Sequence, residues 1–298
     1  MTDHKRQHWI PDTYLSAWCD PDPATQNPRR VYRYGRDGAY RDYRPPSRLF
    51  TVDDLYTVPA ADGGRDLSTE HAFTALEDSF ARIRDRLLVP CLPIPADARR
   101  DLTWFIAALR NRSPAMRDHK RSIDDRILEI ANDLQARLSV MTPEARREFA
   151  RRTRSSSSAD DKDTSIPLPA FRELAARPFG IAMPRDVVQE AGLLERMHLS
   201  VLRCPAGGER LITSDNPVSW WDPAEPRSRH PPGLGRWTVE ITVPLTPTMA
   251  AVISHAPGSD YVDIDGATVE ELNMRTLAKC RETFISSSRE PDRRVAPV

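Results

Sequence analysis

Val31-Tyr32-Arg33-Tyr34-Gly35-Arg36-Asp37-Gly38 is the stretch that decides the architecture of this 298-residue chain. Its first four residues alternate as a strand does, and the glycine-bounded tetrapeptide after them supplies a turn. Asp54-Leu55-Tyr56-Thr57-Val58 reads as a second short strand. Two early strands need sheet partners, and the last third of the chain offers them. Leu199–Cys204, Leu211–Thr213, Trp237–Val243, Ala250–Ser254 and Thr283–Ser286 all read as strands, separated by turns such as Pro205-Ala206-Gly207-Gly208.

Helical periodicity occupies the interval between them. Ser68 or Thr69 can cap a helix to Leu88, with Phe73, Leu76, Phe80, Ile83 and Leu87 as its apolar stripe. A second helix, Asp97 to Arg112, turns Leu102, Phe105, Ile106 and Leu109 inward, and Pro114 ends or kinks it. A third, Met116 to Val140, carries Ile123, Ile127, Ile130, Leu134 and Leu138 at helical spacing; Thr142-Pro143-Glu144 opens a short fourth. Thr268 to Cys280 is a helix ahead of the last strand. The expectation is a single α+β domain over residues 1–298, with a mixed or antiparallel sheet built from N- and C-terminal strands. A helical insertion fills residues 68–150, a serine- and charge-rich mobile loop residues 151–165, and a frayed tail residues 289–298.

Ahead of the first strand stands Gln7-His8-Trp9-Ile10-Pro11-Asp12-Thr13-Tyr14-Leu15. Pro11 suits the first position of a helix, and Ile10 before it is held extended. Tyr14, Leu15 and Trp18 share one helical face and can anchor in a core. His8 lies just outside, where the positive end of the helix opposes its protonation. A neutral imidazole there can accept a proton or bind a metal; a backbone lock for the N-terminal segment is the plainer role.

Composition excludes more than it identifies. The chain has 43 basic and 43 acidic side chains, so no global field draws in a polyanion, although a local basic groove for nucleic acid remains open. Lys5, Lys120, Lys162 and Lys279 are the only lysines; codon bias is the simpler explanation of the arginine excess. Cys19, Cys91, Cys204 and Cys280 form no close pair, which argues against zinc and for reduced thiols in a cytoplasmic protein. No apolar run reaches the roughly 18 residues of a membrane span, and no signal peptide is evident. Phosphate-loop, dinucleotide, G-x-S-x-G and H-E-x-x-H motifs are absent.

Several polar groups could carry chemistry. Asp215 and Asn216, in Thr213-Ser214-Asp215-Asn216-Pro217, stand at a strand end that suits an aimed carboxylate or a purely structural Asx turn. Glu70 and Glu77 share a helix face, as metal-binding carboxylates or as a solvated surface. Arg112, in Arg110-Asn111-Arg112-Ser113-Pro114, can clamp an anion or simply complement a helix C-terminus.

The order of these pieces resembles an uncharacterised, mainly bacterial family known as domain of unknown function 4238. His8-x-x-Pro11-x-x-Tyr14-Leu15 and Thr213-Ser214-Asp215-Asn216-Pro217 are the specific pieces of the resemblance. Val31–Tyr34, Asp54–Thr57, Glu70 with Glu77, Arg112-Ser113-Pro114, Pro244-Leu245-Thr246-Pro247 and Leu272-Asn273 accompany them from Lys5 to Ser287. An enlarged proline-rich turn after Trp18 and a long loop at 151–163 depart from the family pattern. The resemblance implies one domain and a set of polar residues that travel together: His8, Tyr56, Glu70, Glu77, Arg112, Asp215, Asn216 and Asn273.

The expected site joins catalytic His8 and Asp215 to Glu70 or Glu77, with Arg112, Asn216, Tyr56 and Asn273 holding substrate. A divalent metal is compatible with these donors but not required by them. The expected chemistry is hydrolysis of a phosphodiester or related nucleic-acid substrate, in a toxin or phage-defence setting. The alternatives are a binding module without chemistry and a polar network that fixes the helices to the sheet.

Overall fold

The computed structural model describes residues 6–19, 29–59, 64–154, 166–176, 182–225 and 232–290. The early strand Val31–Gly35 is where the two ends of the chain meet. It pairs antiparallel with Tyr40–Arg44 on one side and with Thr283–Ser286 on the other, and Thr283–Ser286 pairs in turn with Thr213–Ser214. The hairpin turn closes at Gly38, whose φ of 78° needs a glycine. A second sheet has five strands in the order Tyr261–Asp263, His198–Arg203, Met249–Ser254, Glu240–Thr246 and Ser219–Trp221. All its pairings are antiparallel except Tyr261–Asp263 against His198–Arg203. The architecture is α+β, with N- and C-terminal strands in shared sheets and a helical middle.

The first two long helices are Ser68–Ile83, continued by a π-helical turn at Arg84–Leu88, and Ala96–Asn111. Their expected stripes face the core: Phe73, Phe80 and Ile83 are buried on one, and Leu102, Phe105, Ile106 and Leu109 on the other. Phe80 and Phe105 stack with ring centroids 4.1 Å apart. Helix Met183–Leu194 packs on the second of them. Between helices and sheets sits the opening segment, with Ile10, Tyr14, Leu15 and Trp18 fully buried. The Tyr14 hydroxyl donates to the Pro244 carbonyl at 2.7 Å and lies 2.7 Å from the Thr213 hydroxyl, while the Trp18 indole N–H donates to the Leu211 carbonyl. These aromatic side chains bury large apolar areas and still satisfy their polar ends. They join the helices to both sheets.

Three expectations about local structure need correction. Pro11 is the cap (ψ 142°) and not the first residue of a helix that covers only Asp12–Leu15 before a 3₁₀ turn at Ser16–Trp18. The second early strand is Thr51–Asp53, not Asp54–Val58: Asp54 has a φ of 53°, which no strand accommodates. Pro114 starts the third helix, Pro114–Val140, behind a Ser113 cap that accepts a hydrogen bond from the Met116 N–H. That helix buries no residue, and Ile123, Ile127, Ile130 and Leu134 on its apolar stripe are exposed. Helices Leu168–Ala176 and Met183–Leu194 and strands Ser219–Trp221 and Tyr261–Asp263 also escape the sequence reading. Most of the expected mobile loop, the proline-rich turn after Trp18 and most of the expected tail lie outside the described residues.

Candidate functional site

The site begins with a short ribbon. Strand Arg6–His8 pairs antiparallel with Thr51–Asp53, placing His8 opposite Thr51. Between them Gln7 is fully buried; its Oε1 accepts the Tyr56 N–H at 2.7 Å and its Nε2 donates to the Thr57 hydroxyl at 3.0 Å. The chain after Asp54 therefore bonds to a side chain where a strand would bond to a backbone. Tyr56 turns inward, and its hydroxyl donates to the His8 carbonyl at 2.7 Å. One glutamine and one tyrosine thus fix the backbone that carries His8.

Arg112 enters from the C-cap of helix Ala96–Asn111. It is 1 % exposed, and its Nη1 donates to Glu77 Oε1 at 2.6 Å across the two helices. Phe73, one turn before Glu77, lies 5.2 Å beneath the guanidinium and packs edge-on against Tyr56. Burial works against the Arg112 charge, but Glu77, with Tyr56 and Glu70 behind it, outweighs burial and raises the pKa. Nε and Nη2 are buried and lack an acceptor in good geometry among the described residues, although the Tyr56 hydroxyl stands within hydrogen-bonding reach of the guanidinium. Incompletely paired donors on a buried cation cost about 1–3 kcal/mol, so this guanidinium has capacity for another acceptor.

His8 belongs to the same group. Burial lowers its pKa; Asp12, Glu77 and a hydrogen bond to the Ser47 backbone act in the opposite sense, and Arg112 lowers it further. The sequence argument for a neutral imidazole invoked the helix end, whereas desolvation is the main cause. His8 Nε2 is buried and without a partner among the described residues, which leaves Nδ1 as the ring atom free to face the Ser47 backbone. A neutral ring that donates from Nδ1 keeps its lone pair on Nε2, which is the form of a general base.

The other expected residues are used differently. The Asp215 carboxylate accepts three backbone N–H groups, from Arg281, Glu282 and Thr283, at 2.9, 2.7 and 3.1 Å. It holds the approach to strand Thr283–Ser286 and orients no imidazole. Its link to the opening segment runs through Trp9, whose indole N–H donates to the Asp215 carbonyl at 3.3 Å. Asn216 Nδ2 donates to the Lys279 carbonyl. Asn273 bridges the Ile212 N–H and the Arg210 carbonyl, tying helix Gly266–Lys279 to the sheet. The structure thus brings together His8, Tyr56, Glu70, Glu77 and Arg112, and gives Asp215, Asn216 and Asn273 to backbone fastening. Among the described residues no three His, Cys, Asp or Glu side chains gather as metal ligands would.

Sequence reasoning missed Gln7 and Trp9, although both stand beside His8. It also missed a cleft of about 350 Å³ on the other side of Trp9, between Phe50 and the start of helix Pro114–Val140. A fully buried glutamine announces itself only once its partners at Tyr56 and Thr57 are known.

Fold and site together define an α+β protein with a neutral histidine and a buried, incompletely paired arginine joined through one helix carboxylate. The chain belongs to the family described as protein of unknown function (DUF4238), whose model matches residues 6–290, nearly its whole length. No curated protein and no solved structure matches it.

Proposed function

We propose that the protein is a hydrolase, nuclease-like in its chemistry, that acts on a phosphodiester or similarly anionic substrate. In this reading His8 Nε2 takes the proton of the attacking water and Arg112 holds the anionic oxygen. The observation that carries it is the coexistence of a buried, unpartnered His8 Nε2 with two incompletely paired donors on Arg112, both groups within the electrostatic reach of Glu77. Water activation needs the first and charge stabilisation in a water-poor setting needs the second. Glu77 holds the guanidinium in place and Tyr56 holds the His8 backbone. Glu70 adds negative charge near both Arg112 and Tyr56. No step requires a metal, and no residue of the site speaks for a defence setting.

We place the protein in the reducing cytoplasm, because all four cysteines are free thiols. No helix among the described residues is long and apolar enough to cross a membrane.

The test is hydrolysis of a chromogenic phosphodiester and of a labelled single-stranded oligonucleotide by the wild-type protein and by His8→Gln. Loss of about 10²-fold or more in kcat with the fold intact is the expected outcome. Turnover unchanged in His8→Gln contradicts the assignment. Binding of the oligonucleotide with no turnover by either protein leaves a binding module in its place.

A further inference from the structure

The cleft beside Trp9 carries a second assignment. Its basic lining comes from four separated parts of the chain: Arg33 and Arg44 from the hairpin, Arg48 from the 3₁₀ turn, Arg117 from the long helix, and Arg281 ahead of the last strand. Three carboxylates share the lining, Asp118, Asp215 and Glu282. They leave the cleft basic, because five arginines outnumber them, and the Asp215 carboxylate is turned to three backbone N–H groups. Asp118 pairs with Arg281 at 2.6 Å and more loosely with Arg117, and Asp42, outside the lining, is shared by Arg33 and Arg44. Arg48 has no ion-pair partner among the described residues. Arg117 faces Asp118 through Nε at 3.5 Å, and shares that carboxylate with Arg281. Arg48 without an ion pair and Arg117 with only a shared carboxylate, lining one cleft, make an anion site, because the planar fork matches the geometry of phosphate oxygens.

The remaining wall is aromatic. Trp9 and Phe50 lie with ring centroids 5.6 Å apart, and the indole is fixed by its bond to the Asp215 carbonyl. Phe50 has a φ of 53°, a left-handed conformation rare for an aromatic residue, while its carbonyl accepts the Trp9 N–H at 3.0 Å. Strain of this kind persists where surrounding structure insists on a side-chain position. The mouth of the cleft also receives Pro114, the first residue of a helix whose positive end favours a phosphate. A volume of about 350 Å³ lies near the lower end of the roughly 300–1,000 Å³ of small-molecule pockets, room for one nucleotide and not for a duplex.

We propose that this cleft binds a single phosphorylated nucleotide, either free or as the end of a strand, with the base against Trp9 and the phosphate at Arg48 and Arg117. Stacking on an aromatic ring and charge-assisted bonds to phosphate are the usual division of labour at single-stranded nucleic-acid sites. The assignment agrees with a phosphodiester substrate at the neighbouring His8 but rests on binding geometry alone, so it stands or falls separately from hydrolysis.

Calorimetric titration of the full chain with adenosine 5′-monophosphate, adenosine and inorganic phosphate tests it. The monophosphate is expected to bind at least ~10-fold tighter than either fragment, since both halves of the cleft contribute. Arg48→Ala, an exposed residue whose loss leaves the fold intact, is expected to weaken the monophosphate about 10-fold and to leave adenosine unchanged. Trp9→Leu weakens both; if it fails to fold, Trp9→Phe, with its smaller ring, gives the same direction with a smaller change. Inorganic phosphate binding as tightly as the monophosphate overturns the aromatic half. Monophosphate affinity unmoved by Arg48→Ala, or no binding at 10 mM ligand (~3 kcal/mol, too weak for a built site), overturns the whole.

Discussion

Removing the charge of Glu77 perturbs the structure where it is least able to compensate. Arg112 is 1 % exposed and, among the described residues, pairs with one carboxylate, Glu77, whose side chain is 19 % exposed. Breaking a wholly buried ion pair from one side costs about 3–5 kcal/mol, because the surviving charge stays in low dielectric unpaired. Partial exposure of Glu77 admits water and reduces that, so Glu77→Gln is expected to lose about 2–3 kcal/mol. Arg112→Met alone removes the cation, fills similar volume against Phe73 and leaves Glu77 able to turn toward solvent, at about 1–2 kcal/mol. The double variant contains no stranded charge and should resemble Arg112→Met, giving a coupling of about 2 kcal/mol. Urea unfolding of the four proteins, compared at equal m-value, provides the measurement. Additive losses, or less than about 0.5 kcal/mol for Glu77→Gln, would refute the view that Glu77 sustains a buried guanidinium. Adding a ligand anion should narrow the loss in Glu77→Gln, since the incompletely paired N–H groups gain an acceptor.

Three further outcomes follow from the same geometry. Asp215→Asn should lose about 2–3 kcal/mol, because an amide cannot accept from three N–H groups at once; thermal unfolding midpoints check this, and an unchanged midpoint removes the fastening role. His8 is held below its ordinary pKa of 6.5 by burial, so the unfolded chain binds its proton more readily than the folded one. Stability from His8 is therefore complete above pH 6.5 and declines as pH falls from there toward the lowered folded value; His8→Gln should flatten that part of the urea-midpoint profile. Ile127→Glu on the exposed face of the long helix should change stability by no more than about 0.5 kcal/mol, and a loss of several kcal/mol would place that face against something else.

The sheet joined from both ends of the chain was legible because alternation at Val31–Tyr34 and at Thr283–Ser286 is local, and neither segment has another way to pair its backbone. The two core helices were legible from Phe80, Phe105 and their neighbours at helical spacing. The same spacing at Ile123 to Leu134 located a helix but not its surroundings, since periodicity shows that a face is apolar and not whether anything covers it. The strand expected at Asp54–Val58 failed on one residue: a left-handed Asp54, and a Gln7 side chain that takes the Tyr56 N–H, are tertiary facts with no pattern in the sequence. In the site, His8, Glu77 and Arg112 were found by residue type and Tyr56 through the family resemblance, but their partition from Asp215, Asn216 and Asn273 was not. An Asx turn and an aimed carboxylate look alike until the N–H groups of residues 281–283 are located. The basic cleft was hidden for a related reason. Its arginines lie on four separated parts of the chain, and each reads locally as an ordinary polar position.

Nuclear magnetic resonance titration of the seven histidines, with His8 assigned by its absence in His8→Gln, tests the central claim most directly. The account requires a His8 midpoint below 6.5 with the Nδ1–H tautomer when neutral, and a midpoint raised when Arg112→Met removes the neighbouring cation. A midpoint at or above 6.5, or an Nε2–H tautomer, contradicts it, for the ring then has no lone pair at Nε2 with which to take a proton from water.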